Sequence, residues 1–204
     1  MKDLLLAGGG GHCRAVIEVI ERTGRWRIAG IVDPGFGTLA EVSGYPVLGR
    51  DEDLPALRRD IGFALVTIGQ IRTSAVRRRL SALLVQAGFG LATIVSPRAE
   101  VSARARLCEG VTVMHFAAIG PCAQIGANTI INSRALVEHD CRIGAYCHIS
   151  TAVTLNGGVV VGDDSFVGSG SVLRENVVIG QGRVIGMGSQ IRASDVPGKE
   201  KPRG

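Results

Sequence analysis

Aromatic residues and long apolar runs are both scarce in this chain. Only 4% of its 204 residues are aromatic, and these residues do not alternate with basic ones. Nucleic-acid surfaces combine aromatic stacking with basic residues, so we expect no nucleic-acid binding. The net charge of +5 suits an anionic substrate such as a nucleotide. No stretch approaches the roughly 18 consecutive apolar residues of a membrane span, so we expect no transmembrane helix.

Cysteine is present but shows no pairing pattern. The five cysteines are odd in number, and no two form a Cys-x-x-Cys pair. Cys122, Cys141 and Cys147 stand where Ala or Ser would also fit, so we interpret them as small buried residues in a reducing compartment. The first ten residues lack a signal-peptide cleavage pattern. These observations together predict a cytoplasmic protein.

The carboxyl-terminal half carries a strict six-residue repeat. Every sixth residue from Val95 to Ile191 is aliphatic, without a miss. Small residues recur four places later, as at Ala99 and Ser165. A helical period cannot produce this pattern, and strand alternation alone would not fix one position in six. A fixed hexad is typical of a parallel β-helix, in which stacked turns share one continuous core.

The first ninety residues instead alternate strands and helices. Apolar runs predict strands at residues 3–7, 27–32 and 63–68, and helical spacing predicts a helix after each of the first and third. A short helix over residues 51–59, capped by Asp51, is also expected. This alternation predicts a small, Rossmann-like parallel α/β domain over residues 1–90. The hexad domain then occupies residues 91–204.

Apolar spacing also predicts the buried faces of the two longer helices. These faces comprise Ala15, Val16, Val19 and Ile20 in the first helix, and Val76, Leu80, Leu83 and Leu84 in the other. The run Arg77-Arg78-Arg79 lies on the second of these helices. We interpret this run as a solvated helix face.

A glycine-rich loop joins the first predicted strand to the first helix. It consists of Gly8, Gly9, Gly10 and Gly11. Glycine permits close backbone approach, and a helix N-terminus attracts phosphate, although a tight turn alone would also explain the glycines. Asp33 ends the second strand, where an acid accepts a ribose hydroxyl in dinucleotide folds. His12 is either a capping or surface histidine or a contact to a diphosphate or its sugar. Because the domain is short, a mononucleotide or nucleotide sugar fits best.

His139 is the leading candidate for catalysis. It stands two residues after the core position Val137, between the carboxylates of Glu138 and Asp140. A carboxylate beside an imidazole orients it and raises its basicity, as a general base requires. The alternative interpretation is a solvated polar corner.

His148 follows His139 by nine residues, which is half of an 18-residue coil of three hexads. We therefore expect the two histidines on different sides of the coil, so that they meet only across a subunit interface. His115 precedes His139 by 24 residues, which is one hexad away from vertical stacking. These spacings do not build a zinc site within one chain, and they leave convergence between chains open.

The hexad domain resembles the left-handed β-helix acyltransferases. The whole chain resembles the nucleotide-sugar N-acetyltransferases of the bacillosamine and perosamine type, together with the related sialic acid O-acetyltransferases. The most specific segment, from Asn132 to His148, reads NSRALVEHDCRIGAYCH. The family commonly has Gly-His-Gly-Lys after its glycine loop, whereas Cys13 replaces the second glycine here and Arg14 retains the charge.

The resemblance implies acetyl transfer from acetyl-CoA to the amino group of a nucleotide-linked amino sugar, such as a 4-amino-4,6-dideoxy sugar. His139 would be the base and Asp140 its support. The implied nucleotide-sugar contacts are Gly8, Gly9, Gly10, Gly11, His12, Arg14, Asp33, Gly69, Gln70, Arg72 and Asn132. The implied acetyl-CoA contacts are His148, Gly157, Gly168, Gly186, Pro197 and Lys199. A homotrimer with sites between subunits, and chemistry without a metal, are also implied.

Three other functions remain as alternatives. The same site could acetylate a sugar hydroxyl, as in sialic acid O-acetylation. A metal hydratase, like the trimeric carbonic anhydrases, could occupy the same β-helix, although the histidine spacings speak against it. A non-catalytic scaffold could also keep the coil, but His139 beside Asp140 argues for an enzyme.

Overall fold

A computed structural model describes residues 1–195 of the chain. Over these residues a small α/β unit is followed by a coil of two-residue parallel strands. The predicted fold class, a Rossmann-like α/β domain followed by a left-handed parallel β-helix, is confirmed. The last strand of the α/β sheet ends at Leu91, and the first strand of the coil begins at Ile94. The domain limits of 1–90 and 91–204 stay a prediction.

The α/β unit is built on a parallel sheet with one antiparallel edge pair. Its strand order is β3-β4-β2-β1-β5-β6, and only β3 runs antiparallel to its neighbour. β1 is buried along most of its length because helices cover the sheet, which explains its unbroken apolar run. The elements are β1 (Lys2–Ala7), α1 (Gly11–Thr23), β2 (Trp26–Val32), β3 (Glu41–Val42), β4 (Tyr45–Gly49), a 3₁₀ turn (Asp51–Asp53), α2 (Leu54–Leu57), β5 (Phe63–Val66), α3 (Ala75–Gln86) and β6 (Gly90–Leu91).

The coil stacks its strands into three parallel sheets that pair residues 18 apart, as Thr112 with Ile130. Sheet I contains β7 (Ile94–Val95), β10 (Thr112–Val113), β13 (Ile130–Ile131), β16 (His148–Ile149), β19 (Phe166–Val167) and β22 (Val184–Ile185). Sheet II contains β8 (Glu100–Val101), β11 (Ala118–Ile119), β14 (Leu136–Val137), β17 (Thr154–Leu155), β20 (Val172–Leu173) and β23 (Gln190–Ile191). Sheet III contains β9 (Arg106–Leu107), β12 (Gln124–Ile125), β15 (Arg142–Ile143), β18 (Val160–Val161) and β21 (Val178–Ile179).

The predicted hexad core lies inside the coil. The aliphatic series from Val95 to Ile191 lines the interior, with the middle members fully buried. Cys141 and Cys147 are buried in this core as predicted, but Cys122 is exposed. The prediction was wrong for Cys122 because it occupies a corner with a left-handed backbone, φ 62°, where the side chain points outward.

Sheet I is the face of the coil that the α/β unit covers. Four outward residues of sheet I are buried, whereas the equivalent positions on the other sheets are more exposed. The four are Ile94, Thr112, Ile130 and His148. Ile94 packs with the apolar residues of α1 and β1 in one cluster. The two units therefore share a core, and polar residues on this face lie at their junction.

The prediction that the run Arg77-Arg78-Arg79 forms a solvated face was wrong for Arg77, whereas Arg78 and Arg79 are exposed. Arg77 is only 2% exposed. Arg78 pairs with Asp164 on the coil at 2.5 Å, and Arg79 pairs with Asp51 at 2.6 Å. Arg77 and Arg78 lie where α3 faces the coil, whereas the partner of Arg79 belongs to the α/β unit.

The predicted buried faces of α1 and α3 also need correction. Val76 is 46% exposed and Ala15 is exposed, whereas Cys13 and Arg77 face inward. The short helix expected over residues 51–59 is instead a 3₁₀ turn followed by α2. Arg50 precedes the 3₁₀ turn, so Asp51 begins the turn and does not cap it. Oδ2 of Asp53 accepts the N–H of Arg50 at 2.8 Å.

Candidate active site

The glycine-rich loop divides into an enclosed half and an open half. Gly8 has φ +104° and packs against Ile68, so a side chain there would clash with Ile68. Gly9 packs against Asp33 and Val42. Gly10 and Gly11 have nothing within 4 Å of an added Cβ, so open space adjoins the N-terminus of α1. A phosphate could approach the free N–H groups of this helix turn.

Asp33 braces this loop. Its Oδ2 accepts the N–H of Gly9 at 2.7 Å, and its Oδ1 accepts the N–H of Gly35 at 2.8 Å. Each carboxylate oxygen keeps a further acceptor site, so a ribose hydroxyl could still donate to it. The predicted ribose contact stays a prediction, and the observed bonds add a structural role.

The loop after β5 meets His12 between the two units. Gly69 lies next to both residues, since a Cβ on it would make ordinary contacts 3.8 Å from His12 and from His148. Burial, followed by the fields of His148 and Arg77, lowers the pKa of His12 to about 3. Within residues 1–195 its buried Nε2 has no hydrogen-bond partner. The neutral imidazole of His12 therefore has an unpaired nitrogen, Nε2, beside the loop. Arg72, the predicted nucleotide-sugar contact in this loop, is exposed.

His139 stands at the corner between sheets II and III. Its side chain is 59% exposed, and its Nδ1 lies 2.8 Å from Oδ2 of Asp140. This contact places the hydrogen on Nδ1 in the neutral ring and leaves Nε2 as the basic nitrogen. Nε2 lies over Gly157, where an added Cβ would be only 2.5 Å away. The arrangement can accept a proton from a substrate at the coil surface.

His148 lies on the covered face of sheet I and is 7% exposed. Its Nδ1 contacts the carbonyl oxygen of Gln70 at 2.9 Å, and its Nε2 contacts Nδ2 of Asn132 at 3.1 Å. Burial lowers the pKa of His148 to about 4. Both ring nitrogens are used within the chain, so this arrangement offers acetyl-CoA no hydrogen bond from the ring, and the predicted contact stays a prediction.

The structure places the predicted residues in two groups. Within one chain these two groups lie apart. His12, Gly69, Gln70, Asn132 and His148 meet at the junction of the units. The pair His139–Asp140 lies at another corner, as the half-coil spacing predicted. Completing one site from both groups would need a second chain.

The predicted acetyl-CoA glycines have different surroundings. A Cβ on Gly168 would meet the backbone nitrogen of Met187 at 2.5 Å, so coil stacking itself requires this glycine. Gly186 is open, with Ser189 at 3.7 Å, whereas Gly157 makes room for His139. Pro197 and Lys199 lie outside the described residues.

Sequence reasoning missed Arg77 as a site-supporting residue. Its Nη1 donates to Oε1 of Gln70 at 3.2 Å, and its Nη2 donates to the carbonyl oxygen of Asn128. Burial lowers its pKa to about 10, so it remains charged at neutral pH. Helical spacing gave little signal, because Val76 and Arg77 both share a face with Leu80 and Leu84.

Comparison with known proteins identifies the family. The family model of the PglD N-terminal domain matches residues 3–82. A histidine-to-asparagine variant of perosamine N-acetyltransferase from Caulobacter crescentus, solved with CoA and GDP-perosamine, is 37% identical. The alignment covers 95% of this chain and 90% of that protein, with a TM-score of 0.90. This chain belongs to the left-handed β-helix nucleotide-sugar N-acetyltransferases.

Two further family members extend the comparison. GDP-perosamine N-acetyltransferase of Escherichia coli O157:H7 is 30% identical over 137 residues, which are 66% of this chain and 59% of that protein. The acetyltransferase domain of PglB from Neisseria gonorrhoeae FA1090, solved with acetyl coenzyme A, is 29% identical with a TM-score of 0.86. That alignment covers 93% of this chain and 92% of the solved one.

The described residues contain neither a metal-binding group of side chains nor a helix that could span a membrane. Across residues 1–195, no three His, Cys, Asp or Glu side chains converge as a metal site would require. In the same range, no helix has the length and apolar content needed to cross a bilayer.

Proposed function

We propose that this protein transfers the acetyl group of acetyl-CoA to the amino group of a nucleotide-linked amino sugar. The observation that carries the proposal is His139, which is exposed, oriented by Asp140 and free at Nε2. Family members solved with CoA and GDP-perosamine or with acetyl coenzyme A support the two substrates. We propose a 4-amino-4,6-dideoxy sugar as the acceptor.

In the proposed reaction the amine nitrogen attacks the thioester carbonyl carbon. His139 Nε2 takes the proton that the amine loses, the C–N bond forms, and the C–S bond breaks. The CoA thiolate leaves and becomes a thiol when it takes up a proton. Asp140 holds the imidazole and stabilises its charged form, and N–H donors at the site stabilise the oxyanion.

The nucleotide part of the acceptor fits the open half of the glycine loop. Gly10 and Gly11 leave room for phosphate at the N-terminus of α1, with Arg14 nearby on the same helix. Asp33 would accept a ribose hydroxyl. Gly69, Gln70 and Arg72 would form the far wall, and Asn132 would contact the sugar.

We propose that the active unit is a homotrimer with sites between subunits. The separation of His139 from the junction that holds Asn132 supports this, because one chain presents them at different corners. Gly157, Gly168 and Gly186, with Pro197 and Lys199, would then border the acetyl-CoA. Light scattering should give three chains per particle, and a monomer with full activity would contradict the shared site.

We place the reaction in the cytoplasm. Cys13, Cys108, Cys122, Cys141 and Cys147 are all free thiols, as expected in a reducing compartment.

A substrate panel tests the proposed function directly. GDP-, UDP- and dTDP-linked 4-amino sugars, and their 4-hydroxy counterparts, are assayed for thiol release from acetyl-CoA. We expect one amino sugar to be turned over and its hydroxyl counterpart to be poor. Preference for a hydroxyl acceptor would favour O-acetylation, and no turnover of any acceptor would contradict the proposal.

A further inference from the structure

A continuous series of hydrogen bonds connects the α/β unit to Asn132. We propose that His148 is a positioning residue, which the carbonyl of Gln70 holds in one tautomer so that it fixes how the Asn132 amide faces the acceptor. The tautomer follows from contacts alone. The consequence for turnover rests on the proposed function.

The first step concerns Nδ1 of His148. It lies 2.9 Å from the carbonyl oxygen of Gln70, and a carbonyl can only accept, so Nδ1 must carry the hydrogen. The backbone N–H of Gln70 also lies 3.5 Å from Nδ1, with the opposite polarity. The shorter contact decides, because a bare nitrogen at 2.9 Å from a carbonyl oxygen would be repelled.

The second step concerns Nε2. In a neutral ring with its hydrogen on Nδ1, Nε2 is an acceptor, and Nδ2 of Asn132 donates to it at 3.1 Å. The other end of the Asn132 amide gives an independent check, since its Oδ1 accepts the N–H of Ser133 at 2.8 Å. Both ends require the same amide orientation. Along this series the N–H of Ser133, Nδ2 of Asn132 and Nδ1 of His148 each donate to an acceptor, whereas the backbone N–H of Gln70 finds none on the ring.

The third step is the rigidity of this arrangement. Gln70 is held in turn, because its Nε2 donates to the carbonyl oxygen of Tyr146 at 2.7 Å and Arg77 donates to its Oε1. The His148 ring also packs edge-on against Phe166, with centroids 5.4 Å apart. The ionisable groups facing it are His12 of α1 and Arg77 of α3.

These contacts leave Asn132 with defined capacity for a substrate. Its Nδ2 keeps one free hydrogen, and its Oδ1 keeps one free lone pair. Because the amide cannot flip without breaking two bonds, the α/β unit that would bind the nucleotide also sets the polarity presented to the acceptor sugar.

Nitrogen NMR of the histidine rings tests the tautomer without any substrate. The chain has four histidines, so His148→Gln assigns the His148 signals by their loss. At pH 7 we expect a neutral ring protonated on Nδ1. Asn132→Asp places a carboxylate against Nε2 and should convert the ring to the doubly protonated form. A ring protonated on Nε2, or one that ignores Asn132→Asp, would overturn the proposal.

Two substitutions of His148 separate positioning from acetyl-CoA binding. A glutamine at position 148 can still accept the N–H of Asn132. The shorter asparagine can only retain the N–H that donates to the carbonyl oxygen of Gln70. We expect His148→Asn to lower kcat/KM for the acceptor by about 10-fold to 100-fold. The KM for acetyl-CoA should stay within about two-fold, and His148→Gln should recover most of the loss, since the Asn132 contact carries the effect.

The opposite pattern would overturn the positioning role. A rise in the acetyl-CoA KM larger than the effect on the acceptor would show that His148 contacts acetyl-CoA directly. Equal losses in both variants would show that the Asn132 bond is not what matters. If the wild-type protein turns over no acceptor, the proposed function fails, and the ring tautomer still decides the arrangement.

Discussion

The corner that carries His139 and the junction that buries His148 give the same side chain opposite surroundings. At the corner the ring is 59% exposed and one nitrogen is free. At the junction the ring is 7% exposed and both nitrogens are used. Exposure with a free nitrogen suits proton transfer, whereas burial with both nitrogens bonded suits positioning. The role proposed for each histidine therefore follows from what covers its face of the coil.

The junction also gathers the buried ionisable groups His12, His148 and Arg77. Burial lowers the pKa values of His12 and His148 to about 3 and 4, so both rings are neutral at pH 7. Arg77 stays charged, and the carbonyl of Asn128 and the amide oxygen of Gln70 accept its N–H groups. This ordered polar layer contrasts with the solvated corner at His139.

The largest expected effect is at the corner. We expect His139→Ala to lower kcat by roughly 10²–10⁴-fold, because a general base acts in the transition state. The affinity for acetyl-CoA, measured by calorimetry, should remain nearly unchanged. Asp140→Asn should lose less, since the base stays in place. Near-wild-type turnover by His139→Ala at neutral pH would contradict the assignment.

The next effect tests the space over which His139 lies. The new methyl group in Gly157→Ala would be 2.5 Å from Nε2, so the ring must move. A displacement of this size should lower kcat by about 10²-fold, with little change in thermal stability. Gly62→Ala is the matched control, because nothing lies within 4 Å of its added Cβ. Equal kcat for the two variants would show that Gly157 does not position the base.

Acid should weaken the junction. Below about pH 6.5 the unfolded chain protonates His12 and His148, whereas the folded chain does not until about pH 3 and 4. The unfolded state then binds more protons, so the free energy of unfolding falls as the pH drops from 6.5 to 4. For His148 the loss is on the order of 3 kcal/mol.

Melting temperatures between pH 7 and pH 4 measure this loss. The decline should be shallower in His148→Gln than in the wild type, because the variant has one buried imidazole fewer. His139→Gln leaves the buried rings in place and should decline like the wild type. Identical slopes for all three proteins would show that His148 takes up its proton alike in both states.

The smallest effect separates two neighbouring arginines. Arg77→Met leaves two buried oxygens without their donor and should cost about 1–3 kcal/mol of stability. Arg79→Met breaks an exposed pair with Asp51 and should cost about 0–1 kcal/mol. Urea unfolding of the two variants measures the difference. Equal costs would show that burial of Arg77 adds nothing to stability beyond what an exposed arginine contributes.

Much of this comparison was visible in the sequence. The hexads from Val95 to Ile191 predicted the coil, because only a stacked turn repeats an inward position every six residues. The spacing of nine residues predicted that His139 and His148 face different sides. The order of strand, glycine loop and helix predicted the α/β unit. Periodicity determines these features because they are local or exactly repeated along the chain.

The tertiary structure alone decided which face of the coil is covered. The sequence places His148 outward on sheet I, and only the docked α/β unit buries it and bonds both its nitrogens. The same docking turns Arg77 inward, whereas the contact between Gly157 and His139 comes from the stacking of successive coils. Contacts between residues about 80 positions apart, such as Gln70 with His148, leave no periodic trace in the sequence, because each depends on how two independently patterned units pack together.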